Sequence, residues 1–548
     1  MIRAHTYKDK SMKLTKIFLT LSAVFSPASM ISASEKPNII YIMADDLGYR
    51  DLSCYGQKVI KTPNIDKIAA EGMMFTQHYS GSAVCAPTRC MLLTGMHAGH
   101  AQVRNNSAGI FKNKADKKNP AGEGQYPLKR GTETIGTVLQ KQGYETLAVG
   151  KWGLGGPDNE GSPKKQGFDH FFGYLCQRQA HNYYPTHLWR NDRMVKLDGN
   201  GDGKQVTGKQ YAPDLIKDEV LGFIDKNKKK PFFIYYATII PHVSLQVPLD
   251  DPHLAEYEKT VKDPKPFNGG GSYVKNATPH ATYAAMISRL DSYVGEVVAR
   301  LKKHGLYDKT LIIFTSDNGP TNAGGGGASF FNSAGELRAS KGSLYEGGIR
   351  VPFVARWKGN IKPGSKSDHA SAGWDMLATF ADLTGAKLKS KGDGISMLSA
   401  LTGKGTQKKH DHMYWELGSQ AAVRKGDWKA YRRGGGKVML YNLANDIGEK
   451  KNLAASEAEK LKELTALLKS SRTEHADFRR GAFDDHLDHE VHDRLSGQYL
   501  GAGWDHWGDA DGDAAADGDG PMSSPCAFPN GDLGALPPSP RDICRTMK

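Results

Sequence analysis

The sequence predicts an α/β fold: a large mixed, mostly parallel sheet flanked by helices, with a smaller C-terminal α+β domain. Short apolar runs rich in β-branched residues, typical of buried strands, alternate with segments in which apolar residues recur at helical spacing. Polar or ionisable residues follow each apolar run, and ligand sites of open α/β sheets lie beyond the carboxyl ends of the strands. This second observation predicts an enzyme.

Four apolar runs are the predicted strands of the large sheet. They cover residues 37–44, 146–150, 231–237 and 310–316, and helical spacing is clearest at 134–142 and 283–304. Reactive groups follow these runs: Asp45 and Asp46, Lys151, His242, and Asp317 with Asn318. Because the strands are predicted to be mostly parallel, we expect these side chains to meet at one edge of the sheet.

The pattern changes at about residue 405. Short strand-like segments at 412–415, 420–424 and 428–431 are separated by tight turns, and a helix is predicted at about 455–470. The sequence therefore predicts a catalytic domain over 34–404, a small C-terminal subdomain over 405–480 and an acidic tail over 481–548. Asp, Gly, Ala, Pro and Ser dominate the tail, which we expect to be disordered.

Charge is distributed unevenly along the chain. The net charge is +14, and residues 481–548 contribute −9 from thirteen acidic and four basic side chains, which leaves +23 on residues 1–480. A basic body favours an anionic substrate. The lysines are scattered or lie in short runs without interleaved aromatic residues, so we do not expect a nucleic-acid partner.

The first 33 residues predict a signal peptide. Lys13 and Lys16 precede an apolar run over 17–25, and small residues follow up to Ala33. Met12 is itself a suitable start, which makes residues 1–11 a possible upstream misassigned start. We therefore expect an exported protein, periplasmic or extracellular, and no stable membrane insertion because no apolar run is long enough to span a bilayer.

The most specific motif is Cys85-Ala86-Pro87-Thr88-Arg89, followed by Leu92-Leu93-Thr94-Gly95. Taken alone, a cysteine beside a proline and an arginine is only a modest indication of a nucleophile, since small buried cysteines are common in cores. The segment resembles the signature of the sulfatase family, formylglycine-dependent and arylsulfatase-like, within the alkaline phosphatase superfamily. Further matches in the same order are Asp45-Asp46-Leu47-Gly48, Gly150-Lys151-Trp152, Pro241-His242, Asp317-Asn318-Gly319, Lys341-Gly342 and Tyr345-Glu346-Gly347-Gly348.

The resemblance implies hydrolysis of sulfate esters, on a sulfated carbohydrate in our interpretation. It implies that Cys85 is oxidised to formylglycine by a separate maturation enzyme and that the hydrated aldehyde is the nucleophile. It also implies a cationic shell around the sulfate group, formed by Arg89, Lys151, His242 and Lys341, with His242 protonating the leaving alcohol or binding a sulfate oxygen.

A metal site is predicted from the residues themselves. Asp45, Asp46, Asp317 and Asn318 offer hard oxygen donors, which suit Ca²⁺ or Mg²⁺ and do not suit zinc. The resemblance selects calcium and adds the side chain of residue 85 as a ligand. One departure from the family pattern is Gly153, which stands where the family commonly has a histidine that contacts the formylglycine.

Substrate-binding residues are predicted from the loops that correspond to the family's pocket. They are Arg104, Asn105, Asn106, Gln179 and His181. Polar and aromatic side chains of this kind suit a sugar, whose hydroxyls form hydrogen bonds and whose ring packs on a flat face.

Two other functions stay open at this point. A phosphoester or phosphonate hydrolase of the same superfamily is one, although such enzymes often use two zinc ions with histidine-rich ligation. A catalytically silent homologue that binds polyanions is the other. The intact Cys85 argues against it, and Gly153 argues mildly for it.

Overall fold

The structure, a computed structural model, describes residue 1 and residues 36–106, 123–202, 205–263, 265–270 and 273–478. The described residues from Pro37 onward belong to one compact unit. The predicted signal peptide beyond residue 1 and the predicted tail lie outside the described residues. Every helix in the described ranges is too short or too polar to cross a membrane.

The main sheet has ten strands in the order β11-β2-β10-β9-β1-β8-β4-β5-β6-β7. Its strands are β1 (Asn38–Ala44), β2 (Met73–Phe75), β4 (Glu145–Lys151), β5 (His170–Tyr174), β6 (His187–Arg190), β7 (Arg193–Lys196), β8 (Phe232–Ala237), β9 (Thr310–Ser316), β10 (Phe353–Arg356) and β11 (Ser365–Ser367). Two short strands, β3 (His78–Tyr79) and β12 (Ser371–Ala372), pair separately.

The centre of the sheet is parallel. Strands β9, β1, β8, β4 and β5 run in one direction, and the strands that flank them, β10 and β6, run in the opposite direction. Strand β7 pairs antiparallel with β6 at the edge of the sheet. All seven residues of β1 are buried, because helices cover both faces of a parallel sheet. Ile40 and Ile42 enter the core on one face, and Ile39, Tyr41 and Met43 enter the core on the other.

Helices occupy both of these faces. They are α1 (Pro63–Ala70), α2 (Cys85–Thr94), α3 (Ile135–Lys141), α4 (Ala212–Asn227), α5 (Pro252–Thr260), α6 (Pro279–Lys303), α7 (Glu346–Ile349), α8 (Asp375–Thr384), α9 (Leu398–Thr402) and α10 (Ala458–Ser470). Residues of α1, α4 and α6 share the core with Ile40, whereas those of α2, α3 and α8 share it with Ile39. The predicted fold class is confirmed.

The C-terminal region forms a second, antiparallel sheet. Its strands are β13 (Met413–Leu417), β14 (Gln420–Lys425), β15 (Trp428–Arg433) and β16 (Met439–Asn442), in that order. The sequence predicted the first three and missed β16, which has only four residues. Buried residues of α10, Leu464 and Leu468, pack into the core that contains α2, so this region is continuous with the main body.

Candidate active site

Strand β1 delivers two carboxylates to the carboxyl edge of the sheet. Asp45 and Asp46 follow directly after Ala44, and both are completely buried. The Asp45 N–H donates to the carbonyl of Ile240 (3.0 Å), which fixes the turn. Asp46 has φ +64°, a left-handed conformation that aspartate tolerates better than most residues.

Strand β9 brings a carboxylate and an amide, those of Asp317 and Asn318, to the same place. Its last residue, Ser316, is in register with Ala44, so the residues that follow the two strands are neighbours. The Asp46 N–H donates to Asp317 Oδ1 (3.1 Å), and Asn318 Nδ2 donates to Asp46 Oδ1 (2.7 Å). The Oδ1 of Asn318 is buried and has no hydrogen-bond partner among the described residues.

Two buried cations, Arg89 and Lys151, and the partly buried Lys341 face these carboxylates. Arg89 Nη2 lies 2.8 Å from Asp317 Oδ2, and Lys151 Nζ lies 2.7 Å from Asp45 Oδ2. Lys341 Nζ lies 2.9 Å from Asp46 Oδ2. An unpaired charge is costly to bury. Because each of the three carboxylates has a cationic partner, the cluster can hold these charges away from solvent. We call the following residues the strand-end cluster: Asp45, Asp46, Cys85, Arg89, Lys151, His242, Asp317, Asn318 and Lys341.

Cys85 lies at the centre of the strand-end cluster. It is the first residue of α2 and is buried, with Sγ 3.4 Å from Asp45 Oδ1 and 3.3 Å from Lys151 Nζ. Burial, and after it the neighbouring Asp45, raise the pKa of the thiol well above its usual range. The unmodified side chain is therefore a protonated thiol and a poor nucleophile at neutral pH.

His242 borders the cluster from the loop after β8. Its Nδ1 donates to the carbonyl of Val243, so Nε2 carries the lone pair and accepts from Lys341 Nζ at 3.0 Å. Burial, then Lys341 and Lys151, lower the pKa of His242 well below its usual range. The imidazole is therefore neutral, with its reactive nitrogen turned toward Lys341 and Asp46.

The carboxylates differ in their electrostatic environment. Burial would raise the pKa of Asp45, but Lys151, His242 and Arg89 together hold this pKa well below its usual range. Burial, followed by repulsion from Asp45, raises the pKa of Asp317 to about 7. Negative charge is therefore crowded on the Asp317 side of the cluster, where additional positive charge would be stabilising.

Possible metal ligands are close to one another. Ligand atoms of Asp45, Asp46, Cys85 and His242 all lie within 4.8 Å of one another. His242 was predicted from the sequence as a catalytic group, and the structure places it among these donors. Asp317 is linked to them through Asp46 and Arg89. The nine residues that the sequence placed in the catalytic and metal sets thus lie together.

Two of the residues predicted to bind substrate lie beside the cluster. The ring of His181 stacks on that of His242, with centroids 4.7 Å apart and planes 22° apart. The Nδ1 of His181 is buried without a hydrogen-bond partner in the part of the chain that the structure describes. Asn106 Oδ1 accepts from the N–H of Ala86 at 2.9 Å, one residue from Cys85. Asn105, the preceding residue, is partly buried.

Two others have structural partners instead. Arg104 is buried and donates to Glu416 Oε1 (3.2 Å) and to the carbonyl of Thr473 (2.9 Å), both more than 300 positions away in the chain. Gln179 Nε2 donates to the carbonyl of His187 at 2.9 Å. The guanidinium of Arg104 joins the main body to the C-terminal subdomain, and Gln179 supports β6. A role of either residue in substrate binding stays a prediction.

The sequence singled out neither Tyr273 nor Gln177 as a site residue. The centroid of the Tyr273 ring lies 5.4 Å from that of the His181 ring. Gln177 is buried and hydrogen-bonded to Asn106 at 3.1 Å. Both residues lie in loops outside the recognisable motifs. The mixture of polar and aromatic residues over 177–184 indicated a role for the loop that contains Gln177, and no comparable signal surrounds Tyr273.

Known proteins resemble the chain over most of its length. The family model described as Sulfatase matches residues 37–386, and the model described as N-sulphoglucosamine sulphohydrolase, C-terminal, matches residues 338–476. Arylsulfatase A of Homo sapiens is 30% identical over 500 residues, covering 82% of this chain and 89% of that protein. N-acetylgalactosamine-6-O-sulfatase of Bacteroides thetaiotaomicron is 30% identical over 517 residues, covering 80% and 94%.

Solved structures show the same similarity. The crystal structure of Ps i-CgsB in complex with k-i-k-neocarrahexaose has a TM-score of 0.66 and 29% identity, covering 82% of this chain and 96% of that one. The phosphonate monoester hydrolase of Agrobacterium radiobacter has a TM-score of 0.55 at 19% identity, covering 79% and 95%, which shows a shared fold alone.

Proposed function

Because this chain belongs to the sulfatase family of sulfuric ester hydrolases, we propose that it removes sulfate from a sulfated carbohydrate and that Cys85, oxidised to formylglycine, is its nucleophile. The observation that carries the proposal is the position of Cys85 Sγ between a carboxylate of Asp45 and the ammonium group of Lys151. The thiol itself is a poor nucleophile there. A formylglycine hydrate supplies one hydroxyl that takes the sulfate group and a second whose collapse to the aldehyde releases it.

The residues of the cluster would divide the remaining work. Lys151 contacts residue 85 directly, and Arg89 holds Lys151 through its backbone carbonyl; both neutralise negative charge next to residue 85. Lys341 neutralises sulfate oxygens on the opposite side, beside Asp46. The proton for the leaving alcohol comes from the Lys341 ammonium group, which donates to His242 Nε2. The neutral imidazole, whose Nδ1 is bonded to a backbone carbonyl, passes this proton on through Nε2.

We propose Ca²⁺ as the resident ion. Asp45, Asp46, Asp317 and Asn318 would hold it, with residue 85 completing the set. The unpartnered Oδ1 of Asn318 and the crowded carboxylate of Asp317 fit a hard divalent cation. When bound, the ion supplies positive charge that polarises the sulfate group.

A sugar is the proposed carrier of the sulfate group. His181 and Tyr273 place two flat rings next to His242, and flat rings beside hydrogen-bonding groups suit a pyranose. The names of the sugar sulfatase from Bacteroides thetaiotaomicron and of the carrageenan oligosaccharide complex agree with this substrate class. Export to the periplasm or the medium, where such polymers occur, is part of the proposal.

One experiment tests the nucleophile and the reaction together. The tryptic peptide 68–89 of purified protein is expected to carry the mass change of formylglycine, in which one oxygen replaces the sulfur and two hydrogens are lost. The same preparation is expected to release sulfate from sulfated mono- and oligosaccharides. An unmodified Cys85 in active protein contradicts the proposed nucleophile, and turnover of an aryl phosphate in preference to an aryl sulfate favours the phosphoester alternative.

A further inference from the structure

The side chain of Gln177 is connected to the first turn of α2, next to Cys85, through one intermediate residue, Asn106. Gln177 is 6% exposed, and its Nε2 donates to Asn106 Oδ1 at 3.1 Å. The same oxygen of Asn106 accepts from the N–H of Ala86 at 2.9 Å. A chain of two hydrogen bonds therefore links Gln177 to the backbone next to residue 85.

These contacts determine which end of the Gln177 amide faces which way. The backbone N–H of Ala86 is always a donor, so the Asn106 atom that meets it must be oxygen. Gln177 must then present its nitrogen to Asn106. Its Oε1 is left over, buried and without a hydrogen-bond partner among the described residues. A buried amide oxygen in this state requires a donor from a ligand, a modified side chain or water.

The amide group of Gln177 lies against Gly153. A Cβ atom on Gly153 would lie 2.9 Å from Cδ and 3.2 Å from Oε1 of Gln177, and Gly153 has φ +75°. Gln177 thus occupies the space that a side chain at position 153 would need. Position 153 is two residues from Lys151, whose Nζ lies 3.3 Å from Cys85 Sγ.

We propose that Gln177 is a positioning residue for the side chain at position 85, and that its Oε1 accepts a hydrogen bond from a hydroxyl of that side chain in the hydrated form. The inference rests on the proposed conversion of Cys85 to formylglycine. Gln177 orients the hydroxyl and, through Asn106, holds the start of α2. Because an amide oxygen does not take up a proton at neutral pH, Gln177 does not act as a general base. The hydrogen bond favours the hydrate over the free aldehyde.

The test uses the full-length matured protein and two readouts besides stability. Peptide mass spectrometry first gives the fraction of residue 85 that is converted. The converted protein is then labelled with an aminooxy reagent, which reacts with the aldehyde and not with its hydrate. Turnover of an aryl sulfate, which has no sugar hydroxyl, is measured on the same samples.

Gln177→Leu removes the acceptor with little change in volume. We expect labelling per converted chain to become several-fold faster and kcat for the aryl sulfate to fall about tenfold, the effect of one hydrogen bond, with little change in KM. Gln177→Glu keeps an acceptor but loses the donor to Asn106 Oδ1, so we expect it to keep labelling slow while lowering stability. Gln166→Leu is the matched control, because Gln166 is also buried with an unpartnered Oε1 but donates to the Lys129 and Glu160 carbonyls instead.

Gln166→Leu is expected to lower stability without changing labelling or turnover. Wild-type labelling and kcat in Gln177→Leu overturn the inference and leave a bound water as the donor to Oε1. An equal effect of Gln166→Leu also overturns it. If the wild-type protein carries no formylglycine, the proposed function fails first, and the mass spectrum distinguishes that result from failure of this inference.

Discussion

At the scale of single residues, the environment of Cys85 distinguishes it from the other cysteines. Among cysteines of the described chain it alone is hydrogen-bonded both to a cluster carboxylate and to a cluster lysine. Cys90, five residues later in the same helix, is equally buried but lies in the apolar core. The two thiols therefore differ by which side of α2 they occupy, not by burial.

Cys85→Ala is expected to fold and to lose turnover by more than about a thousandfold, since it removes the atom that becomes the nucleophile. Cys85→Ser is expected to be similarly inactive in turnover, because a single hydroxyl can take the sulfate group but cannot expel it. Sulfate release and circular dichroism are the measurements. Cys54→Ala, a half-buried thiol outside the cluster, is the control. Substantial turnover by purified Cys85→Ala would contradict the assignment.

At the scale of elements, neighbouring strands determine the geometry of the cluster. The register of β1 with β9 places Asp45 and Asp46 opposite Asp317 and Asn318. The order β9-β1-β8-β4 then adds the loop that carries His242 and the end of the strand that carries Lys151. Since helices cover both faces, these strand ends are the place where polar groups converge.

Calcium is expected to bind one per chain and to raise the midpoint of thermal unfolding. At a free concentration 100 times Kd, the expected gain is about 2.7 kcal/mol. Asn318→Ala is expected to weaken binding by about tenfold or more, because it removes the unpartnered Oδ1. Calorimetric titration and thermal melts are the measurements. Asn322→Ala, in an exposed pair with Ser329, is the control, and stoichiometric zinc without calcium would contradict the ligand set.

The ion pair between Arg104 and Glu416 links the main body to the C-terminal subdomain. This ion pair is buried, with side chains 3% and 6% exposed. Arg104→Ala is expected to lower the free energy of unfolding by about 3 kcal/mol, because Glu416 loses a buried partner. Arg130→Ala removes an exposed ion pair with Glu160 and is expected to lower the free energy of unfolding far less than Arg104→Ala does. If Arg104→Ala raised KM strongly and left stability unchanged, the result would support the predicted role of Arg104 in substrate binding.

At the scale of the whole molecule, stability depends on groups far from the cluster as well. His78 is buried, its Nδ1 lies 2.9 Å from Ser371 Oγ, and its ring lies 4.3 Å from that of Phe353. Burial lowers the pKa of His78 to about 3. The folded protein therefore binds this proton much less readily than the unfolded chain.

Stability is consequently expected to decline as the pH falls below the ordinary histidine value. A group whose pKa is depressed by folding contributes fully above its unfolded pKa of about 6.5, and the contribution is lost on acidification toward the folded value. For His78 the loss is about 2 kcal/mol at about pH 5. Denaturant unfolding across this pH range is the measurement. His78→Gln is expected to give a shallower decline, and an unchanged slope would contradict the assignment.

The sequence by itself determined the parallel sheet, the order of its central motifs and the members of the strand-end cluster that follow its strands, whereas Cys85, Arg89 and Lys341 came from the resemblance to the sulfatase family. Those features depend on local signals: apolar runs define strands, and residues at parallel strand ends such as Asp45 and Asp317 must meet. Only the tertiary structure decided that Arg104 pairs with Glu416 and that Gln177 fills the space over Gly153. These contacts join loops distant in sequence, and their geometry depends on how whole elements pack, which no local pattern encodes.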